Sequence, residues 1–156
     1  MQATSERTHV RWMIRRDMAE VLDIEQVCFE FPWLEEDFIR CLKQRNCIGM
    51  IAERDDRVVG HMIYELHKNR LHLLNFAVCP SLQRTGVGAE MLDKLKSKLF
   101  MSRRTLIQCE IREHNLDAQL FFRSQGFKAV SVLRSFYEDS DEDAYLFQFR
   151  LPRSLP

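Results

Sequence analysis

Gln83-Arg84-Thr85-Gly86-Val87-Gly88-Ala89 is the stretch on which the reading of this chain turns. It follows a nearly continuous apolar run, Leu71 to Val78, interrupted only by His72 and Asn75, and then the turn Cys79-Pro80-Ser81. Such a run suits a strand covered on both faces. Beyond it, Val87, Met91, Leu92, Leu95 and Leu99 recur at helical spacing. The loop therefore joins a buried strand to the start of an amphipathic helix. There the first N–H groups lack helical partners and carry the positive end of the helix dipole. Glycines let the backbone approach an anion closely, and Arg84 adds a fixed positive charge. Together these predict a cradle for a pyrophosphate. The Gly-Lys-Ser/Thr ending of a P-loop is missing, and the spacing is not that of a dinucleotide fingerprint.

Working outward, Val10 to Arg15 reads as a strand, since Val10, Trp12 and Ile14 alternate with other residues. Asp17 is expected to cap a helix carrying Ala19, Val21, Leu22, Ile24, Glu25 and Val27. Phe29-Glu30-Phe31-Pro32-Trp33 breaks it, and a second helix carries Leu34, Phe38, Ile39 and Leu42. Ile48 to Glu53 and Val58 to Leu66 flank the turn Arg54-Asp55-Asp56-Arg57, a hairpin pattern. After the long helix come a strand, Thr105 to Arg112, and a helix, Asn115 to Gln125, with Gly126 as its C-terminal cap. Phe127 to Arg134 and Ala144 to Leu151 form a last hairpin across an acidic loop. The order is β-α-α-β-β-β-α-β-α-β-β, which predicts a three-layer α/β/α domain with a central mixed sheet.

Composition narrows the function. The 156 residues suit one domain, expected to span 1–156 with its core over 10–151. With 23 basic and 23 acidic side chains the formal net charge is zero, so neither nucleic acid nor a membrane surface is the expected partner. No apolar run approaches the ~18 residues of a membrane span, and the polar segment Met1 to His9 does not read as a secretory signal. The five cysteines, Cys28, Cys41, Cys47, Cys79 and Cys109, are odd in number and lack CxxC spacing. Reduced thiols in a cytoplasmic protein are expected, with no disulfide and no metal.

The loop, with the strand ending Ala77-Val78-Cys79-Pro80 before it, resembles the core motif of the GNAT acyltransferases. The chain is most similar to their RimI type, the ribosomal-protein alanine N-acetyltransferases, and to other protein N-terminal acetyltransferases. Cys28-Phe29 followed by Pro32-Trp33 resembles their substrate loop. Asn75-Phe76-Ala77-Val78 resembles the strand that holds the pantetheine arm. Glu110-Ile111-Arg112, then Asn115, Ala118 and Gly126-Phe127, resemble the next strand and helix. Arg134, Tyr137 and Asp143-Ala144 resemble the last hairpin. The similarity runs from about Val10 to Leu151.

This resemblance implies a GNAT fold, with a mostly antiparallel sheet, and an acetyl-CoA-dependent N-acetyltransferase. The acceptor it implies is the α-amino group of a protein N-terminus, of the ribosomal-protein alanine type. Transfer would be direct, in a ternary complex, by a monomer or weak dimer. The backbone of Phe76, Ala77 and Val78 would pair with the pantetheine arm. Arg84, Thr85, Gly86, Val87, Gly88 and Ala89 would bind the pyrophosphate, and Asn115 the pantetheine region. Glu110 would be the general base, and Phe31, Trp33 and Tyr137 would line the peptide groove. The family often carries Tyr seven residues after the Asn; here that residue is Phe122, which has no proton to give. Either the thiolate then leaves unprotonated, which a thiol's ordinary pKa of ~8.5 makes easy, or Tyr137 is the expected side-chain acid for it.

The residues themselves speak to the chemistry. An α-amine titrates near ~8 and is easily deprotonated, so one carboxylate could suffice. On its strand Glu110 shares the polar face with Gln108 and Arg112, opposite Ile107, Cys109 and Ile111. His72, read as sharing a face with Leu74, Phe76 and Val78, is a secondary candidate for moving the proton. A backbone N–H near Phe76 or Val78 is the expected donor to the thioester oxygen. Phe29, Phe31 and Trp33 could be core or binding wall, and Phe121 and Phe122 partly core. The acidic run Glu138 to Asp143 reads as a solvated turn able to attract a basic peptide. Acetylation of a small-molecule amine or a lysine, or acetyl-CoA binding with weak catalysis, remain open alternatives.

Overall fold

The computed structural model describes residues 7–152. The reading of Met1 to His9 as no secretory signal, and the ends of the expected 1–156 domain, fall partly outside them. β1 (His9–Trp12) leads through a 3-10 turn (Arg15–Asp17) into α1 (Met18–Cys28), and α2 (Glu35–Leu42) follows. Next come β2 (Cys47–Arg54), β3 (Arg57–Leu66) and β4 (Arg70–Val78). A second 3-10 turn (Pro80–Leu82) and the glycine loop lead into α3 (Val87–Phe100). The chain closes with β5 (Leu106–Arg112), α4 (Leu116–Ser124), β6 (Lys128–Leu133) and β7 (Ala144–Arg150). The α-helices and strands appear in the expected order.

The seven strands form one sheet in the order β1-β2-β3-β4-β5-β7-β6. Neighbours are antiparallel except β4 and β5, which run parallel. Helices cover both faces. Met91, Leu92, Leu95 and Leu99 of α3 join Phe122 of α4 in one apolar cluster; Val21 and Ile24 of α1 join Phe38 of α2 in the other. Each fully buried Leu contributes roughly 1.5–3 kcal/mol. The mixed, mostly antiparallel sheet between helical layers is the architecture expected.

Local chemistry explains the turns. Asp55 (φ 51°) and Asp56 (φ 62°) both take the left-handed conformation that a tight hairpin requires and that Asp tolerates. Gly126 sits at φ 91°. Its N–H donates to Arg123 O at 3.0 Å and that of Phe127 to Phe122 O at 3.0 Å, a paired C-terminal cap that turns Phe127 back into the core.

Three expectations are corrected. β1 stops at Trp12, because Arg15 already belongs to the 3-10 turn. Asp17 does not cap α1 with its side chain. It accepts from Ile14 N–H at 2.8 Å and pairs with Arg11 at 2.9 Å. Burial alone would raise its carboxyl pKa, but the Arg11 and Ile14 hydrogen bonds outweigh burial and hold it low. At the start of α2, where Leu34 has no capping oxygen, Asp37 accepts from Leu34 N–H at 2.8 Å instead. Finally, the β3–β4 register slips between Ile63 and Tyr64, so that Leu74 has no direct partner. This bulge reverses the alternation in mid-strand. Leu71, Leu73, Phe76 and Val78 pack with the α3 cluster, while Leu74 and Ala77 pack with the α1–α2 cluster. His72 therefore lies on the face opposite Phe76 and Val78.

Candidate active site

β4 and β5 pair only at Arg70 with Leu106, Leu71 with Ile107 and His72 with Gln108. Past these rungs the strands part. A cavity of about 170 Å³ opens between them, edged by Leu73, Asn75 and Phe76 of β4 and Cys109, Glu110 and Arg112 of β5. The bulge at Leu74 falls where the split begins, and a bulged strand bends. From the α1–α2 side, Phe29, Phe31 and Trp33 reach the cavity; Tyr137 reaches it from the β6–β7 loop. From α4 come Asn115, Ala118 and Phe122.

The half of the cleft toward α3 and α4 is mostly backbone. Cys79 N–H donates to Val59 O at 2.7 Å. By strand alternation Val78 and Phe76 then turn their N–H and C=O groups to the open edge, while Ala77 directs its own to β3. Val78 O already accepts from Gln83 Nε2 at 3.1 Å and Cys28 Sγ at 3.3 Å. Beyond β4 the loop winds with Arg84 at φ 67° and Gly86 at φ 98°. Gly86 is the N-cap of α3. Arg54 of β2 adds a second guanidinium, with Nη1 3.3 Å from Thr85 Oγ1. Gly88 serves packing: a Cβ there would lie 2.9 Å from Phe121 Cζ. Asn115 caps α4 by accepting from Ala118 N–H at 3.1 Å, which leaves its Nδ2 to donate elsewhere.

The half toward α1 and α2 is made of side chains. Glu110 meets His72, whose Nε2 lies 2.8 Å from Oε1 and 3.0 Å from Oε2. Beneath Trp33, the buried carboxylate of Glu25 gathers His61 Nε2 at 2.9 Å, Asn75 Nδ2 at 3.0 Å and Trp33 N–H at 2.9 Å. Asn75 Oδ1 and His61 Nδ1 are buried with no hydrogen-bond partner among the described residues. At the rim, Arg112 stacks on Tyr137 at 3.8 Å and on Phe31 at 4.8 Å. It also pairs with Asp139 at 2.7 Å and Glu142 at 3.1 Å. The acidic run is thus no plain solvated turn, because Asp139 and Glu142 fold back onto Arg112. The Arg112 hydrogen bond holds the Asp139 carboxyl low. Burial would raise Glu142, but hydrogen bonds from His114 and Arg112 bring it below the usual range. Burial pushes the Tyr137 hydroxyl up to about 12, against the pull of Arg112. Burial likewise pushes the Cys28 thiol up to about 11, so it stays protonated at neutral pH.

The sequence profile of the acetyltransferase (GNAT) family matches residues 18–127. This chain belongs to that family. The GNAT match makes it an N-acetyltransferase with acetyl-CoA as co-substrate, and the transfer needs no metal ion. The chain is similar to the [ribosomal protein bS18]-alanine N-acetyltransferase of Salmonella typhimurium, at 29% identity over 141 residues covering 89% of this chain and 93% of the relative. Its GNAT fold superimposes on the ribosomal-protein-S18-alanine N-acetyltransferase of Escherichia coli with a TM-score of 0.83 at 23% identity, over 96% of this chain and 97% of that one. It superimposes on Arabidopsis thaliana Naa50, solved with the bisubstrate analogue CoA-Ac-MVNAL, with a TM-score of 0.79 at 15% identity, over 92% and 99% of the chains.

Among the residues singled out from sequence, Phe31, Trp33, Phe76, Glu110, Asn115 and Tyr137 of this GNAT chain line one cavity. Arg84 to Ala89 are not in its lining and lie beyond the end of β4. Phe122 is 5% exposed and packs edge-on to Phe76 and Phe127. Glu25, Asn75, Arg112 and Arg54 were not assigned a role. Buried Glu25 amid apolar helix positions was the one clue available, since a carboxylate on an apolar helix face needs a partner.

Proposed function

We propose that this enzyme acetylates the α-amino group of a protein N-terminus, of the ribosomal-protein alanine type, by direct transfer in a ternary complex. The observation that carries the reading is Glu110, a half-buried carboxylate at the split between β4 and β5 where both halves of the cleft meet. In this reading residues 1–156 act as a single domain, as a monomer or weak dimer. The pantetheine arm adds as a short strand along Phe76, Ala77 and Val78, using the N–H and C=O groups at the open edge, and Asn115 Nδ2 donates to it. The pyrophosphate rests on Arg84, Thr85, Gly86, Val87, Gly88 and Ala89, with Arg54 as a further cation.

The acceptor enters past Phe31, Trp33 and Tyr137 with its amine toward Glu110. Glu110 takes the amine proton, directly or through a water, and His72 supports its carboxylate on the far side. The free amine attacks the thioester carbonyl, whose oxygen becomes anionic and is met by the Phe76 or Val78 N–H. Collapse breaks the C–S bond and releases the CoA thiolate, and the second amine proton passes to that sulfur or to solvent, which leaves the neutral amide. Tyr137 carries the only hydroxyl in the cavity lining among the described residues, so it is the one side chain that could return a proton, and near neutral pH the thiolate can also leave without it. Glu25 fixes Trp33 through its backbone and so sets the acceptor wall.

Purified protein with acetyl-CoA should be assayed on peptides beginning with Ala, on N-terminally blocked peptides carrying lysine, and on small polyamines. Mass spectrometry should locate acetyl on the α-amine of the Ala peptides. Modification of lysine or polyamine alone overturns the reading. Comparing N-terminal acetylation in cells with and without the protein then names the substrate.

A further inference from the structure

The hairpin that delivers β4 carries a second cluster of ligand-type side chains. Glu65 and His72 are cross-strand partners, so they project from the same face of the sheet. His67 follows in the turn, which is held at two points: His67 N–H donates to Arg70 O at 3.0 Å, and Arg104 Nε donates to His67 O at 2.6 Å. His67 Nε2 lies 2.9 Å from Glu65 Oε1, and His72 Nδ1 lies 3.7 Å from the same oxygen. The three ligand atoms sit within 4.8 Å of one another. A tetrahedral ion with bonds of ~2.0–2.1 Å needs its ligand atoms about 3.3 Å apart. The two contacts to Glu65 bracket that separation. The side chains are between 19% and 31% exposed, open to an entering ion yet anchored on strand and turn.

His72 is already posed as a metal-ligating histidine. Its Nδ1 faces Glu65 and its Nε2 lies 2.8 Å from Glu110. A histidine bound to metal through one nitrogen commonly gives the N–H of the other to a carboxylate. Two imidazoles and one carboxylate suit zinc and its first-row neighbours, whereas Mg²⁺ and Ca²⁺ favour all-oxygen shells.

We propose that Glu65, His67 and His72 form a binding site for Zn²⁺ or a similar divalent transition metal, with water as the fourth ligand, and that its occupancy slows acetyl transfer. The binding half stands on the geometry of the cluster alone. The slowing half rests on the role given above to Glu110. With Nδ1 on the ion, the His72 proton is fixed on Nε2 and held against the Glu110 oxygens, where the incoming amine must compete for them.

The test uses the full chain without acetyl-CoA, titrated with Zn²⁺ by calorimetry and with Co²⁺ by visible absorption. The expected result is one ion per chain with a tetrahedral Co²⁺ spectrum. His67→Ala and the near-isosteric Glu65→Gln should each weaken binding by at least ~10–100-fold. Weak binding by thiols such as Cys41 would persist in both variants. His67 is outside the cleft lining, so His67→Ala should keep the metal-free rate and lose the inhibition by Zn²⁺. No binding, or equal binding by the wild type and both variants, overturns the site. Zn²⁺ that binds through His67 and leaves acetyl transfer unchanged overturns the slowing. Should no amine be acetylated at all, the acceptor reading falls while the metal titration still decides the site.

Discussion

The two halves of the cleft are built from different materials. Toward α3 and α4 the groups on offer are mostly backbone N–H and C=O along one strand edge and at one helix start, from Phe76 to Ala89, joined by the side chains of Arg54, Arg84 and Asn115. Toward α1 and α2 they are side chains brought together from across the chain. His72 meets Glu110 over 38 residues, Glu25 meets Asn75 over 50, and Arg112 meets Asp139 over 27. A half made of backbone tolerates most side-chain changes and fails chiefly to charge reversal. A half made of paired side chains fails at each partner separately. Substitutions can therefore be divided by which ligand they disturb.

The largest expected effect is at the meeting point. Glu110→Gln should lower kcat by about 10²–10⁴ while acetyl-CoA affinity is unchanged, because only proton removal is affected. The deficit should narrow as pH rises past the ~8 of an α-amine, which then deprotonates unaided. Rates from pH 6 to 10 with calorimetry of cofactor binding check both points. A wild-type rate at neutral pH would remove Glu110 from the mechanism.

On the backbone half, Arg84→Glu should weaken acetyl-CoA binding roughly 10–100-fold, the size of one lost charge-assisted contact plus repulsion, with peptide KM little changed. Gly88→Ala sharpens the comparison by separating packing from phosphate approach at one residue. Its methyl would press on the Phe121 ring rather than meet solvent, so it should lower Tm through overpacking of about 1–3 kcal/mol. A Gly88→Ala chain with unaltered Tm and lost cofactor binding would reverse these two roles.

This division also marks what was legible in the sequence. The element order, both helical layers and the glycine loop follow from local period and turn chemistry, so they could be read directly. Glu110 and its polar strand face could be read too, since β5 alternates from Ile107 onward. His72 was put on the wrong face because the bulge at Leu74 leaves no mark in an apolar run such as Leu73-Leu74, where either register buries a leucine. Arg112 escaped because a charge on a strand looks alike whether solvent or a distant partner satisfies it; Glu25 sits among apolar helix positions and so signals a partner, but partners 36 and 50 residues away cannot be named from sequence. That Gly88 also makes room for the Phe121 ring was not legible, because a packing glycine and a phosphate glycine are identical in sequence.

A smaller effect is expected at the rim. Arg112→Gln should raise peptide KM about 10-fold and leave cofactor affinity alone, since it frees Tyr137 and Phe31 from their shared guanidinium, an interaction of ~1–2 kcal/mol when desolvated. The same contact carries a pH signature. The Asp139 and Glu142 carboxyls are held below their ordinary values in the folded chain. A depressed carboxyl stabilises above its unfolded pKa, and that contribution is lost as pH falls through the folded value. The loop 134–143 should therefore stay closed through the ordinary carboxylate range of pH ~4 and loosen only below it. Hydrogen exchange of that loop from pH ~6 down into the acid range is the measurement, and protection unchanged down to pH ~1 would disconnect the rim from these carboxyls.

The smallest effect is expected at Tyr137, and it decides how the thiolate leaves. A general acid is useful when its proton moves downhill to the leaving group. The Tyr137 hydroxyl is pushed up to about 12 by burial, whereas a thiol titrates near ~8.5. Passing a proton from the first to the second runs uphill by about 3 pK units, or roughly 4–5 kcal/mol. A thiolate near neutral pH leaves without that help. Tyr137→Phe should then change kcat by less than about 3-fold and act mainly on peptide KM, through the stack with Arg112. Phe122→Tyr should bring no gain in rate. Phe122 is 5% exposed, among the rings of Phe76, Phe121 and Phe127 at 5.5, 5.2 and 5.1 Å. A hydroxyl left without a partner there costs about 1–3 kcal/mol of stability. A 10²-fold fall in kcat at constant KM for Tyr137→Phe, partly recovered by adding Phe122→Tyr, would show that the proton does come from a phenol. The side-chain half of the cleft would then extend through the split to the sulfur, and the two halves would no longer be chemically separate.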